Sequence, residues 1–233
     1  MHQTSSVTAK KTPVSLVRAG VMIVLFVGIN LIDWSPVVDV LGVPVEWTLF
    51  LVNLLLVVCG LLLYGGYLRA EWRRLRARLR GRGWRFFWGL IGLTFVAYVL
   101  NVVTFAISER LFGEDGVPIN QEMVGGLVDL MPAFMSFLMI AVFAPLLEEL
   151  TFRESIIGVA PNSKVWLIAV LSVVSALVFA FMHVVELHEF WRYLPIAVLL
   201  TFFYLRHGRN VWAPIAFHGL YNFTGYLLLL ATM

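Results

Sequence analysis

The chain has 233 residues, of which 61% are hydrophobic and only 13% are charged. A water-soluble domain of this length cannot cover so much apolar surface, so the composition excludes one and indicates an integral membrane protein. The formal net charge is +3, and the basic residues lie beside apolar segments, which favours anionic lipid headgroups over nucleic acid as their partner.

The first 130 residues contain three apolar segments, at 14–32, 47–67 and 86–107. A transmembrane helix needs about 20 such residues, so each segment predicts one span. The first segment is long for a signal peptide and is not followed by a small-residue cleavage site, so we expect it to be retained. Eight arginines between Arg69 and Arg85 follow the second span. We expect them to form an amphipathic or helix-extending piece on the membrane surface.

A polar loop at 108–129 precedes four more apolar segments, at 130–149, 165–185, 191–205 and 211–230. The predicted fold class is therefore all-α, a polytopic membrane helix bundle of about seven transmembrane helices. We divide the chain into an N-terminal part, 1–130, with helices one to three and the arginine segment, and a C-terminal part, 131–233, with helices four to seven.

Basic residues in the short loops predict which side of the membrane each loop faces. With the N-terminus in the cytoplasm, fifteen basic residues fall on the cytoplasmic side and only Arg110 and Arg192 on the outer side. The cytoplasmic set is Lys10, Lys11, Arg18, the eight arginines of 69–85, Arg153, Lys164, Arg206 and Arg209. We therefore expect a cytoplasmic N-terminus and, with seven spans, an outer C-terminus. A re-entrant sixth segment would change that count.

One group of charged residues lies where the fourth span should end. An ionisable side chain in a span costs about 2.5–3.5 kcal/mol on insertion scales, so such residues need a reason. Glu149 and Arg153 are spaced i, i+4, which predicts an ion pair on one helix face. Glu148 points about 100° away and is free to face a cavity, and Pro145 predicts a kink nearby. Alternatively, these charged side chains mark only the end of the helix and reach the lipid headgroups.

Two further groups lie in the fifth and seventh predicted spans. His183 follows Phe179 by one helical turn on the same face. It is either a functional residue or a histidine that only packs in the bundle or lies at the membrane interface. His218 and Asn222 also share one face in the middle of a span. They are either functional or serve only to hydrogen-bond with neighbouring helices.

Together these groups predict hydrolytic chemistry. A glutamate and a histidine can activate a water molecule as general base, and a histidine with a carboxamide can stabilise an oxyanion. Amide hydrolysis then needs no nucleophilic side chain, and the sequence contains no Gly-x-Ser-x-Gly motif. The single cysteine, Cys59, allows neither an internal disulfide nor a cysteine-based metal cluster.

The three groups read Glu-Glu-x-x-x-Arg at 148–153, Phe-x-x-x-His at 179–183 and His-x-x-x-Asn at 218–222. In order and spacing they resemble the CAAX-protease and bacteriocin-processing (CPBP, or Abi) family of intramembrane proteases, over about residues 130–230. The resemblance implies an endopeptidase that hydrolyses a peptide bond of a membrane-associated substrate. It assigns water activation to Glu148 and His183, oxyanion stabilisation to His218 and Asn222, and supporting roles to Glu149, Arg153 and Phe179.

The metal dependence and the substrate stay open at this point. A divalent metal such as zinc, held by Glu148, His183 and His218, is the alternative to a metal-free glutamate mechanism. We favour the glutamate mechanism because no His-Glu-x-x-His helix is present. The substrate is a prenylated CAAX protein, a bacteriocin or signal-peptide precursor, or a C-terminal sorting anchor. The short chain favours a protein of a prokaryotic cytoplasmic membrane.

Two other functions compete with the protease. One is a catalytically silent relative that acts as a bacteriocin-immunity factor or membrane scaffold. The other is a small proton-linked carrier, for which buried acids and histidines are equally apt. Intact Glu148, His183, His218 and Asn222 argue against the silent relative. The absence of paired, broken half-helices argues against the carrier.

Overall fold

The structure is a computed structural model that describes residues 11–113 and 119–232. Within these residues it contains nine α-helices and no strand, which confirms the all-α prediction. The helices are α1 Leu16–Leu31, α2 Ser35–Leu41, α3 Val45–Leu79, α4 Gly83–Phe112, α5 Ile119–Leu130, α6 Ala133–Ile157, α7 Val165–Phe181, α8 Phe190–Arg206 and α9 Trp212–Thr232. A short 3₁₀ turn, Leu187–Glu189, precedes α8. The middle of the predicted loop at 108–129 lies outside the described residues.

Each predicted span coincides with one helix of the bundle. Helices α3, α4 and α6 are long and apolar enough to cross a membrane, and α1 and α7 are shorter apolar helices. The chain is thus a helical integral membrane protein, while the count of seven transmembrane helices stays a prediction.

Two helices lie where the sequence predicted only loops. Helix α2 begins with Pro36 in its first turn and ends at Gly42, whose φ of 60° closes the helix in the left-handed region. Helix α5 fills the second half of the loop before α6. Helix α3 continues to Leu79 through most of the arginine segment, which agrees with the helix-extending alternative.

Helix α6 is not a regular α-helix. Two π-helical stretches, Leu138–Phe143 and Glu149–Ile157, flank a single α-helical piece, Ala144–Glu148. In a π-helix the carbonyl of residue i accepts from the N–H of residue i+5, and Ala144 donates to Met139 in this way. The next donor in this register would be Pro145, which has no N–H. The predicted disturbance at Pro145 therefore takes the form of a change in helical register.

The hydrophobic core forms around α6. Phe152 on α6 packs edge-to-face against Phe26 of α1 and Phe179 of α7, with ring centroids 5.5 and 5.3 Å apart. Leu56 and Tyr64 of α3 are fully buried in the same cluster. Helices before and after residue 130 thus share one core, and the division into two parts stays a prediction.

The segment before α1 is tied to α6 by a buried charge. The Lys11 ammonium lies 2.6 Å from the Glu154 carboxylate, and it also donates to the Tyr204 hydroxyl at 3.0 Å. The Tyr67 hydroxyl donates to the same carboxylate at 2.6 Å. Burial lowers the pKa of Lys11 from its ordinary value, and the charge of Glu154 opposes that shift. Lys11, which the sequence analysis assigned only to the cytoplasmic side, is an internal residue of the bundle.

Candidate active site

The two adjacent glutamates of α6 lie at the start of its second π-helical stretch. Glu149 is fully buried, and the side chain of Glu148 is 12% exposed. Because consecutive side chains on a helix point in different directions, the two carboxylates meet different neighbours. Glu148 faces two histidines, whereas Glu149 faces an arginine and one of the same histidines.

Glu148 lies between two imidazole rings. Its Oε2 is 3.5 Å from Nε2 of His183 and 3.8 Å from Nε2 of His218. The same oxygen is buried and makes no hydrogen bond with any of the described residues. A carboxylate oxygen in this state keeps its acceptor capacity for a water molecule or a substrate proton. This oxygen and the two Nε2 atoms are the centre of the candidate site.

The ring of His183 is fixed from two sides. His183 lies just beyond the end of α7 at Phe181, and its Nδ1 is 2.7 Å from the carbonyl oxygen of Phe179. A carbonyl oxygen only accepts, so Nδ1 carries a proton and Nε2 is directed at Glu148. The Phe179 ring stacks on the imidazole with centroids 4.3 Å apart, and Tyr193 of α8 lies 5.4 Å away.

His218 is held by the second glutamate. Its Nδ1 is 2.9 Å from Oε1 of Glu149, and the same oxygen accepts from Nη1 of Arg153 at 3.0 Å. Arg153 also donates to the carbonyl oxygen of Ala197 on α8 at 3.1 Å. Its guanidinium lies 4.2 Å from the ring centroid of Phe179, a cation–π contact. Arg153 thus links α6, α7 and α8 behind the two histidines.

Asn222 lies one turn after His218 and compensates for the irregularity of α6. Its Nδ2 donates to the carbonyl oxygen of Ile140 at 2.9 Å. This is the carbonyl that Pro145, five residues later, cannot reach in a π-helical register. Helix α9 comes this close because residue 219 is glycine, where a Cβ would lie 3.2 Å from the carbonyl oxygen of Ala141. A carboxamide nitrogen has two hydrogens, and the bond to Ile140 uses one of them.

Comparison with known proteins places the chain in a family. The profile described as type II CAAX prenyl endopeptidase Rce1-like matches residues 130–224. The UPF0177 protein YbdI of Lactococcus lactis subsp. lactis (strain IL1403) is 30% identical over 134 residues, which make up 57% of this chain and 71% of that protein. The chain belongs to the CPBP family.

Two further relatives extend the CPBP comparison. The UPF0177 protein in the abiGi 5' region of Lactococcus lactis subsp. cremoris is 29% identical over 133 residues, which cover 57% of this chain and 54% of that protein. The UPF0177 protein YajF of Lactococcus lactis subsp. lactis (strain IL1403) is 35% identical over 89 residues, or 38% of this chain and 42% of that protein. No solved structure matches the chain.

The structure brings six of the seven CPBP motif side chains into one set of contacts, which comprises Glu148, Glu149, Arg153, Phe179, His183 and His218. The seventh, Asn222, contacts the carbonyl oxygen of Ile140. The predicted ion pair between Glu149 and Arg153 is confirmed, and Glu148 contacts His183 and His218 as the sequence led us to expect. Neither the contact between Glu149 and His218 nor that between Arg153 and the Ala197 carbonyl was predicted. Both contacts join different helices, and such contacts cannot be predicted from the spacing of residues in the sequence.

The described part of the CPBP chain contains no group of three His, Cys, Asp or Glu side chains arranged to hold a metal ion together. The three residues considered above as zinc ligands, Glu148, His183 and His218, are therefore not arranged as such a group. The Oε2 atom of Glu148 is 3.5 and 3.8 Å from the two ring nitrogens and makes no hydrogen bond within the described residues. The metal alternative stays a prediction.

Proposed function

We propose that the chain is an intramembrane endopeptidase that hydrolyses a peptide bond of a membrane-associated substrate. The observation that carries this proposal is the position of the Glu148 carboxylate, buried and within 4 Å of Nε2 of both His183 and His218. Membership of a family with a CAAX prenyl endopeptidase profile supports the same class of reaction.

In the proposed reaction Glu148 acts as the general base. A water molecule that donates to Oε2 of Glu148 and contacts Nε2 of His183 is polarised from two sides. Its oxygen then attacks the scissile carbonyl carbon while its proton moves to the carboxylate. Burial strengthens these interactions because little bulk water screens them. The hydrogen bond from Nδ1 of His183 to Phe179 and the stacked Phe179 ring keep this imidazole in place.

His218 and Asn222 are proposed to stabilise the negative charge on the tetrahedral intermediate. With Nδ1 of His218 on Glu149, Nε2 can donate only from the doubly protonated ring. Glu149 would then carry the compensating negative charge next to the imidazolium. Asn222 would contribute the amide hydrogen that its bond to Ile140 leaves over.

The orientation and the substrate belong to the same proposal. We infer a cytoplasmic N-terminus from the distribution of basic residues. The substrate is a prenylated CAAX protein, a bacteriocin or signal-peptide precursor, or a protein with a C-terminal sorting anchor.

The decisive experiment compares two glutamine variants in lipid nanodiscs. Membrane-anchored peptides, with and without a prenylated C-terminal cysteine, are incubated with the purified chain, and the products are identified by mass spectrometry. Glu148→Gln keeps the size of the side chain but removes the base, so cleavage should fall by about 10²–10⁴-fold. Its melting temperature should change little, since Oε2 makes no hydrogen bond within the described residues. The exposed Glu109→Gln is the matched control and should keep full activity.

Two outcomes would overturn parts of this proposal. Cleavage by Glu148→Gln at the wild-type rate, or no cleavage by the wild type of any anchored peptide, would favour the silent immunity factor or scaffold. Exhaustive chelation tests the mechanism separately. Full activity after chelation supports the glutamate mechanism, whereas loss that added zinc restores would assign Glu148, His183 and His218 to a metal.

A further inference from the structure

The C-terminal end of α3 carries a row of arginines that the proposed reaction does not use. We define the arginine face as Arg69, Arg73, Arg76 and Arg80. These residues are spaced by four, three and four positions, so at about 100° per residue they all point within about 60° of one another. All four are exposed. The row is thus one continuous side of the helix and its C-cap.

The opposite side of the same segment is packed against the bundle. Leu68, Glu71 and Leu75 are buried there. Glu71 forms an ion pair with Arg74, and Asn210 donates to the Glu71 carbonyl oxygen at 2.7 Å.

The loop before α9 fixes this packed side. Arg74 donates to the carbonyl oxygens of Gly208 and Arg209, each at 3.1 Å. Gly208 has a φ of 70°, and the Arg78 guanidinium occupies the space that a side chain there would need. These contacts hold the packed side against the bundle, and the arginine face points away from it.

The sequence around and after the arginine face is rich in aromatic residues and poor in acids. Trp72 is exposed beside the face and packs against Trp212. At the start of α4, Trp84, Phe87 and Trp88 are also exposed, with the Arg85 guanidinium over the Trp84 ring. From residue 69 to residue 108 the sequence contains one acid, Glu71, which is buried and paired.

From this arrangement we propose that the arginine face binds the headgroups of anionic phospholipids. It begins directly after the apolar part of α3, where we expect the helix to leave the bilayer core. A 35-residue helix is about 52 Å long, against about 30 Å for the hydrocarbon core, so α3 extends well into the headgroup region. Tryptophan side chains prefer this depth, and guanidinium groups pair with phosphate oxygens in a bidentate way. The proposal does not depend on catalytic activity.

The test measures lipid preference in bilayers with the full chain. Spin-labelled phosphatidylglycerol and phosphatidylcholine are compared in phosphatidylcholine vesicles, and their relative association constants are determined at low and high salt. The wild type should prefer phosphatidylglycerol, and added salt should weaken that preference. In the variant R69Q/R73Q/R76Q/R80Q, the association constant for phosphatidylglycerol relative to phosphatidylcholine should fall at least about tenfold. The matched variant R69K/R73K/R76K/R80K keeps the charge and should retain most of it.

The outcomes separate the lipid from other partners. A glutamine variant that keeps the wild-type preference, or a wild type without any preference, would overturn the proposal. Tight binding of a labelled oligonucleotide at physiological salt, without a lipid preference, would make the arginine face a nucleic-acid site instead. Because the four side chains face away from the bundle, the variants should have the melting temperature of the wild type. That measurement shows that they are folded.

Discussion

Glu149 is the residue that joins the support of the candidate site to its chemistry. One of its oxygens accepts from Arg153 and lies 2.9 Å from Nδ1 of His218. Arg153 is fully buried, and taking such a charge out of water is costly unless it is paired. Glu149 therefore neutralises one internal cation and orients the imidazole beside Glu148. The adjacent glutamates have different surroundings and should differ in what their replacement does.

We predict that Glu149→Gln lowers stability as well as activity. The variant leaves Arg153 without its anionic partner, so the free energy of unfolding should fall by about 3–5 kcal/mol. Thermal melting in detergent measures this, with Glu148→Gln and the exposed Glu109→Gln as controls that should melt near the wild type. A Glu149→Gln protein that melts with the wild type would show that the buried pair does not stabilise the fold.

At this scale the sequence predicted pairs within one helix better than pairs between helices. The spacing of Glu149 and Arg153 was sufficient because positions i and i+4 always share a face. Their links to His218 and to the Ala197 carbonyl depend on how α6, α8 and α9 cross. Only the convergence of costly polar groups could be anticipated, because none of them can face lipid.

Helix α6 shows where sequence reasoning about elements reaches its limit. Straight ideal helices that turn near Pro161 would place Glu148 and His183 about 13 Å apart along the helix axis. The structure has their side-chain atoms 3.5 Å apart, with His183 in the turn beyond α7 and a register change on either side of Glu148. The sequence marked the disturbance through Pro145. The shift to π-helical register could not be foreseen, because its compensating donor, Asn222, lies on α9.

The segment before α1 is an element whose position depends on one ion pair. Lys11 and Glu154 are both buried, and the neighbouring N–H of Val14 donates to the carbonyl oxygen of Gly158 at 3.1 Å. A lysine just before a span normally reaches the headgroups, so the sequence offered no reason to expect it inside. The ion pair ties the described segment before α1 to the π-helical stretch that begins with Glu149.

We predict that Lys11→Met loosens this segment and destabilises the bundle. Glu154 keeps its hydrogen bonds from two tyrosines but loses its cation, so unfolding should become easier by about 3 kcal/mol. Amide hydrogen exchange at Val14 should become faster, and melting in detergent should occur at a lower temperature. Lys164→Met, at an exposed position, is the control.

The double variant Lys11→Met/Glu154→Gln sharpens this test. Removing both charges leaves no unpaired ion, so the double variant should be more stable than Lys11→Met alone. A double variant that is as unstable as the sum of the two single variants would mean that Lys11 and Glu154 act independently.

At the scale of the whole molecule, composition was the most informative property of the sequence. Apolar segments in a bilayer have few structural options, so the seven predicted segments all became helices. The helices α2 and α5 were not predicted, because neither forms part of a long apolar segment. Which side of the membrane each end faces is a property of insertion. It follows from the basic residues rather than from packing.

The orientation is tested by labelling single cysteines in cells. Cys59 is replaced by alanine, and Arg76→Cys, Arg110→Cys and Ala231→Cys are introduced one at a time at exposed positions. A membrane-impermeant maleimide applied to intact cells should label positions 110 and 231, and position 76 only after permeabilisation. Labelling of position 76 in intact cells would reverse the proposed orientation, with the arginine face in the outer leaflet. Labelling of position 110 alone would place both chain ends in the cytoplasm, as a re-entrant α8 would require.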